Sequence, residues 1–246
     1  MLRGVTKMKL KKISTLCLAA TTFFAASSAI AWESADGAHS TSASVALSTD
    51  YVWRGYSQTD EEAAISGSFD YAHSSGIYVG TWASNVDFDS DTSIEIDLYG
   101  GFASEFGDSG VGYDVGVLRY MYPSEGDLNW NEYYGSLSYS FFSVGIAYSD
   151  EVYGNDKDDG IYYSASFDYD LPYDVAFSAG VGYYDYDFDD STIDPDNATD
   201  YRIGVSKELA GFGFDLTYYD TDSDGEDLYG KDLAEGRIVF TISKSM

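Results

Sequence analysis

Side chains able to do chemistry are scarce in this 246-residue chain: two histidines, His39 and His73, and one cysteine, Cys17. Hydrolysis by an activated serine needs a general base within hydrogen-bond reach, most often a histidine. His39 falls in a polar lead-in and His73 in a short turn, and neither has a visible catalytic partner. No enzyme activity and no cofactor are expected. Asp220, Asp222 and Asp224, followed by Gly225, copy the opening of a calcium-binding EF-hand loop. The twelfth position is Lys231 where such a loop requires a bidentate glutamate, and no helices are predicted on either side. Weak, unspecific binding of Ca²⁺ or Mg²⁺ is the most these carboxylates are expected to support, and a merely solvated acidic loop is as good a reading.

The charge balance is lopsided, with 42 acidic residues against 13 basic ones and a formal charge of −29. Such a surface repels nucleic acid and attracts cations. Five of the basic residues lie in the first 31 positions. There "MLRGVTKMKLKK" precedes the apolar "ISTLCLAATTFFAASSAIA", and Ala29-Ile30-Ala31 offers a small-x-small cleavage site. The pattern is that of a secretory signal peptide, residues 1–31, starting at Met1 or Met8; a retained anchor helix is the lesser alternative. Cleavage would remove Cys17 and deepen the negative charge by five, leaving a chain that no disulfide can staple.

The rest of the chain is rich in strand formers: the whole sequence holds 24 Tyr, 14 Phe and 25 Gly against 3 Pro. Apolar residues recur with period two. In "SASVALSTDYVWRG", Ala43, Val45, Leu47, Tyr51 and Trp53 share one face, while Ser44, Ser48, Asp50 and Arg54 take the other. In "TSIEIDLYGGFASEF", Ile94, Ile96, Leu98 and Phe102 oppose Glu95, Asp97, Tyr99 and Glu105. Similar runs cover about 62–72, 77–85, 111–121, 131–139, 142–149, 161–169, 174–184, 200–208, 211–219 and 236–246. That makes about twelve strands of the length a tilted membrane-crossing strand needs.

Links after even strands are short ("HSSG", "SF", "LAG"), and those after odd strands are long and acidic ("DEVYGNDKDDG", "DYDFDDSTIDPDNATD"). Short turns on one rim and long loops on the other mark an outer-membrane barrel. The expected fold is therefore all-β: an antiparallel up-and-down transmembrane β-barrel of about twelve strands over residues 43–246, after a periplasmic linker at 32–42. The closing "GRIVFTISKSM" fits this, since the last strand must pair with the first to leave no open edge in lipid. It is also similar to the signal read by the barrel-assembly machinery, although Met246 stands where an aromatic residue is usual. A soluble barrel or sandwich with its apolar face inward is the alternative, and it is disfavoured because twelve strands enclose more space than side chains fill.

The blocks "YVWRGYSQT" and "GIYVGTWASNVDF", with "YYGSLSYS" and the terminal "ISK", resemble the Gcw_chp family, whose members are also named as TorF-family porins. The resemblance implies an outer-membrane location and a pore. It supplies no solute and no catalytic residue.

Parity places the remaining residues. Arg54, Arg202 and Arg237 fall on the inward face near the long-loop ends of their strands, and Glu95, Asp97 and Glu132 fall on the inward face of strands that stand opposite. A transverse field across an open lumen is one expectation; local pairing with acids such as Asp50 or Glu235, or contact with lipopolysaccharide phosphates, is the other. Tyr51, Trp53, Tyr148, Tyr183, Tyr201 and Tyr218 suit interfacial girdles. Lys207 and Lys244 point outward near the short-turn ends, where they would snorkel to headgroups. The functional expectation is passive diffusion of small hydrophilic solutes or ions through a barrel surrounded by outer-membrane lipid and lipopolysaccharide. A structural or adhesive barrel with a closed lumen and cation-binding loops is the alternative. On intact cells, a protease site inserted after Asp158 or Asp224 is expected to be cut, and one after Ser75 to resist; cleavage after Ser75 without permeabilisation would invert this topology.

Overall fold

The computed structural model describes residues 31–190 and 192–246. Except for Ala31, residues 1–31, expected as a signal peptide, lie outside them. Alternating apolar and polar residues make a strand with two unlike faces, and here twelve such strands form one antiparallel ring. They are β1 (His39–Ser48), β2 (Ala64–His73), β3 (Ile77–Asn85), β4 (Ile94–Glu105), β5 (Val111–Met121) and β6 (Trp130–Tyr139). The second half comprises β7 (Phe142–Ser149), β8 (Asp159–Leu171), β9 (Val175–Asp187), β10 (Asn197–Leu209), β11 (Phe212–Thr221) and β12 (Arg237–Ser245). Each pairs with its sequence neighbours, and β1 pairs with both β2 and β12, so the sheet closes on itself.

The closing seam is short. Residues Thr241–Ser245 pair with Ser48–Ser44, and Met246 then exchanges backbone hydrogen bonds with Ala43 at 2.9 and 3.0 Å. Beyond that point β12 runs out, and a two-residue strand, Trp32–Glu33, takes over the same edge of β1 opposite Thr41 and Ser40. The stretch expected as a linker is thus partly in the wall: β1 begins at His39, fully paired with His73 at the end of β2. The two imidazoles stand side by side with ring centres 4.9 Å apart.

The first strand also ends early. Its alternation reads on through Trp53, yet the regular ladder stops at Ser48, Thr49 keeps one last backbone bond to Phe240, and residues 50–59 then turn inward and are largely buried, while 60–63 return exposed to the start of β2. The last long connection, expected as loop, contains two short helices, α1 (Ser223–Tyr229) and α2 (Lys231–Ala234). Asp222 caps α1, its Oδ1 accepting from the Gly225 amide at 3.0 Å.

Apolar side chains cover the outside. Val45, Leu47, Ile65, Phe69, Val115, Leu137, Ile203, Leu216 and Ile238 are all exposed, as lipid contact requires. Tyr148, Tyr183, Tyr201 and Tyr218 are exposed on the same wall near the long-loop rim. Lys207 and Lys244 donate to the carbonyls of Tyr173 and Gly211 at the short turns, at 2.7 and 2.5 Å. Phe240 faces outward on the closing strand, so Phe240→Arg places a charge in hydrocarbon beside the seam. A cost of about 2–4 kcal/mol is expected near the midplane, read as loss of heat-modifiable, folded protein from the outer membrane. Normal accumulation of this variant would show the assigned face of β12 to be wrong.

Candidate functional site in the barrel lumen

Inside the ring the two halves differ. Toward the short turns the inward positions carry mostly small polar residues, among them Ser136, Ser143, Ser166, Ser178 and Ser206, with Asp114, Asp215 and the Tyr78 ring between them. Toward the long loops they carry large rings, including Trp82, Tyr99, Tyr120, Trp130, Tyr162 and Tyr184, which form one buried cluster. An aqueous lumen would not bury such rings unaided; what buries them is the 49–63 segment packed among them.

The segment is a small hairpin. Val52 pairs with Ser57 and Trp53 with Tyr56, leaving a two-residue turn at Arg54 and Gly55. Both have positive φ, 45° and 92°, the pattern of a type I′ hairpin turn. Gly55 meets a second demand, because a Cβ there would run into Thr221 and Asp200. The hairpin base is tied to the wall by Asp50. Its Oδ1 accepts from the hydroxyls of Ser57 and Thr59 at 2.7 and 2.9 Å, and its Oδ2 accepts from Arg237 Nη1 at 3.0 Å. Arg237 also reaches Glu61 at 3.3 Å.

At the tip, Arg54 crosses the lumen and its Nη2 donates to Glu132 Oε1 on β6 at 2.6 Å. The pair is almost wholly excluded from solvent, with side-chain exposures of 2% and 1%. The guanidinium carbon lies 4.0 Å from the Tyr162 ring centre, 4.4 Å from Trp53 and 4.6 Å from Tyr184. Burial works against the charged guanidinium; the Glu132 carboxylate, with the surrounding tyrosine oxygens, outweighs it and holds the pKa above the ordinary arginine value. Tyr51 donates to Glu95 Oε1 at 2.8 Å, and Tyr122 donates to Glu95 Oε2 at the same distance. Burial first, and then Glu95 and Asp97, push the Tyr51 hydroxyl well above its usual pKa, so it remains a donor.

A lid of tyrosines seals the long-loop side. The hydroxyls of Tyr56, Tyr153, Tyr186 and Tyr229 meet in sequence at 3.2, 2.9 and 2.8 Å, and the rings of Tyr56 and Tyr229 stack at 4.0 Å.

Several expectations change accordingly. Tyr51 and Trp53 are not at the membrane interface: they are buried inside, because the chain leaves the wall before reaching them. Arg54 does not face the acids across open space but touches Glu132, and Arg237 pairs locally with Asp50. Arg202 on β10 lies against Gly180 of β9 and makes no ion pair among the described residues, although it stands within electrostatic reach of Asp200 and Tyr162 beside Arg54. Asp220, Asp222 and Asp224 do not form a loop site, since Asp222 serves as the helix cap and Asp220 accepts from Tyr218. Among the described residues, no three histidine, cysteine, aspartate or glutamate side chains converge as a metal ion would require. Sequence periodicity does not reveal the hairpin, although "VWRGYS" holds a short strand-turn-strand with glycine at the second turn position.

Twelve antiparallel strands closed into a ring with an apolar outer surface and a mixed polar and aromatic interior define a β-barrel with the fold of outer-membrane porins. A solved structure described as "KdgM porin" superposes with a TM-score of 0.53 at 8% identity, over 83% of this chain and 97% of that one. A NanC porin structure gives 0.54 at 13% identity, over 82% and 97%. A further KdgM structure, described as a complex with disordered oligogalacturonate, gives 0.53 at 9% identity, over 84% and 99%. At these identities the likeness is one of fold. No curated protein matches the sequence. The family model described as "Bacterial protein of unknown function (Gcw_chp)" matches residues 32–246, and the chain belongs to that family.

The buried ion pair gives a direct expectation. Removing one partner strands the other charge at a cost of about 3–5 kcal/mol, whereas replacing both by apolar groups costs less. Hydrogen exchange of amides 51–58 is expected to quicken strongly in Glu132→Leu and to recover partly in Arg54→Met/Glu132→Leu. Equal exchange in the two variants would mean that the pair does not hold the hairpin down.

Proposed function

We propose that the protein is an outer-membrane diffusion channel for small hydrophilic solutes and ions, constricted at its long-loop mouth by the 49–63 hairpin. The long acidic loops face the cell's surroundings and the short turns face the periplasm. The observation that carries this reading is the unlike filling of the lumen. A barrel meant only as a scaffold gains nothing from a wall of serines and carboxylates on one half, while a channel needs such a wall to replace water around a moving solute. A residual cavity of about 90 Å³ runs beside the hairpin base, lined by Ser48, Ser66, Ser84, Thr241 and Ser243 with Tyr51 at one side. It is narrow beside the hairpin, which supports a low resting conductance. The acidic loops support a preference for cations. The oligogalacturonate in one KdgM complex belongs to that protein; it supports the view that barrels of this fold admit solutes.

One observation favours the second reading, a closed structural or adhesive barrel: the long-loop half is packed as densely as a core. Single-channel recording in planar bilayers separates the two. The full mature chain is expected to conduct weakly and to select cations. Replacing residues 51–58 by a Gly-Ser linker should raise conductance several-fold. If that variant folds, judged by heat-modifiable migration, and still passes no current, the barrel is closed for a reason other than the hairpin and the channel reading fails.

A further inference from the structure

The hairpin brings a guanidinium into the lumen, and the wall on which it lands has the chemistry of a cation receptor. Of the groups around Arg54, only Trp53 travels with the hairpin. Tyr162 on β8, Tyr184 on β9 and Glu132 on β6 belong to the wall and remain if the hairpin lifts. Tyr120 and Trp130 extend the aromatic surface, stacked at 4.3 Å, with the Tyr120 hydroxyl donating to Glu132 Oε2 at 3.4 Å. Ring faces attract organic cations without demanding that a tightly held hydration shell be stripped away, and they are worth most where water is excluded.

The wall also holds more acid than Arg54 balances. Glu95 and Asp97 on β4 stand within electrostatic reach of one another, and Asp97 also within reach of Glu132. Asp97 is 1% exposed, and neither of its carboxylate oxygens has a hydrogen-bond partner among the described residues. Arg54 in turn leaves Nε and Nη1 without partners. Its fit is therefore incomplete: one of its two terminal nitrogens meets Glu132, while Asp97, within electrostatic reach of that same carboxylate, is left without a donor. A metal ion is a poor candidate for that surplus, because a hard cation needs several converging oxygen ligands and no such cluster exists among the described residues.

We propose that the lumen wall formed by Glu132, Asp97, Tyr162 and Tyr184 is a recognition site for organic cations bearing a guanidinium or ammonium group, and that Arg54 fills it as an internal stand-in while the hairpin is down. The proposal rests on the channel reading only for the route by which a solute arrives. Solute and hairpin compete for one site, so the apparent affinity is the intrinsic one reduced by the fraction of chains whose hairpin is up. A bound cation would hold the hairpin away, and the acidic rim would raise the local concentration of such solutes.

The test uses methylguanidinium and the full mature chain in detergent, read by tryptophan fluorescence. Arg54→Asn suits the purpose, since Asn-Gly is a favoured pair for a type I′ turn and the hairpin can still form. This variant is expected to bind methylguanidinium saturably and at least about tenfold more tightly than wild type. Adding Glu132→Gln should abolish the response, and urea, planar but uncharged, should give none. No saturable response in Arg54→Asn, or an equal response to urea, would overturn the proposal. A second measurement needs no variant: in wild type, methylguanidinium should speed hydrogen exchange of amides 51–58 beyond the effect of urea at the same concentration, and unchanged exchange would overturn the proposal as well. Bilayer recordings keep the two readings apart. Binding without current in the Gly-Ser variant retains the site and removes the channel, whereas current without binding retains the channel and removes the site.

Discussion

A backbone amide or carbonyl in hydrocarbon has no water to turn to, so every strand of this protein must find partners on both sides. That constraint forces the sheet into a ring and makes the meeting of β1 and β12 the place on which the ring depends. The wall there is completed jointly: β12 pairs with the second half of β1, Met246 adds two more hydrogen bonds, and Trp32–Glu33 covers the edge that remains. Closure also commits the strand faces. With period two, a ring that shows Ile238, Phe240 and Ile242 to lipid must turn Arg237, Val239, Thr241 and Ser243 to its interior.

A ring of twelve encloses more space than its own side chains fill, and the protein treats the two halves of that space differently. On one half, small residues leave room for water. On the other, aromatic rings project inward and would face water if the 49–63 hairpin did not cover them. The hairpin brings its own charge, and two features make that charge tolerable: Glu132 supplies the opposite sign, and three rings receive the guanidinium face. On the channel reading proposed above, function and packing use the same residues, because the groups that would meet a solute are the groups that hold the hairpin in place.

Much of this is legible in the sequence. β3 and β7 coincide with the expected runs because a half-buried strand that starts from a tight turn and stays in the wall leaves an unbroken alternation from end to end. The barrel class follows from the contrast between short and long connections. The course of residues 49–63 does not follow, and the reason is physical. Tyr51 and Trp53 have the same parity as Val45 and Leu47, so periodicity alone cannot tell a strand that continues in lipid from one that has left the wall for an interior just as apolar. Parity points Arg54 inward, as the structure has it, but from a wall position the residue does not occupy. Helix α1 is hidden for a different reason: aspartates spaced by two suggest a cation loop, and one of them, Asp222, is spent on a cap.

The tyrosine chain over the mouth has a consequence of its own. Its four hydroxyls come from four separate parts of the molecule: Tyr56 from the hairpin, Tyr153 from the β7–β8 connection, Tyr186 from β9 and Tyr229 from α1. Each of the two middle hydroxyls meets a neighbour on either side, so withdrawing one deprives the next of a partner and weakens the rest in turn. Segments far apart in the chain are thereby laced together like a drawstring, and a mouth closed in this way would loosen as a unit.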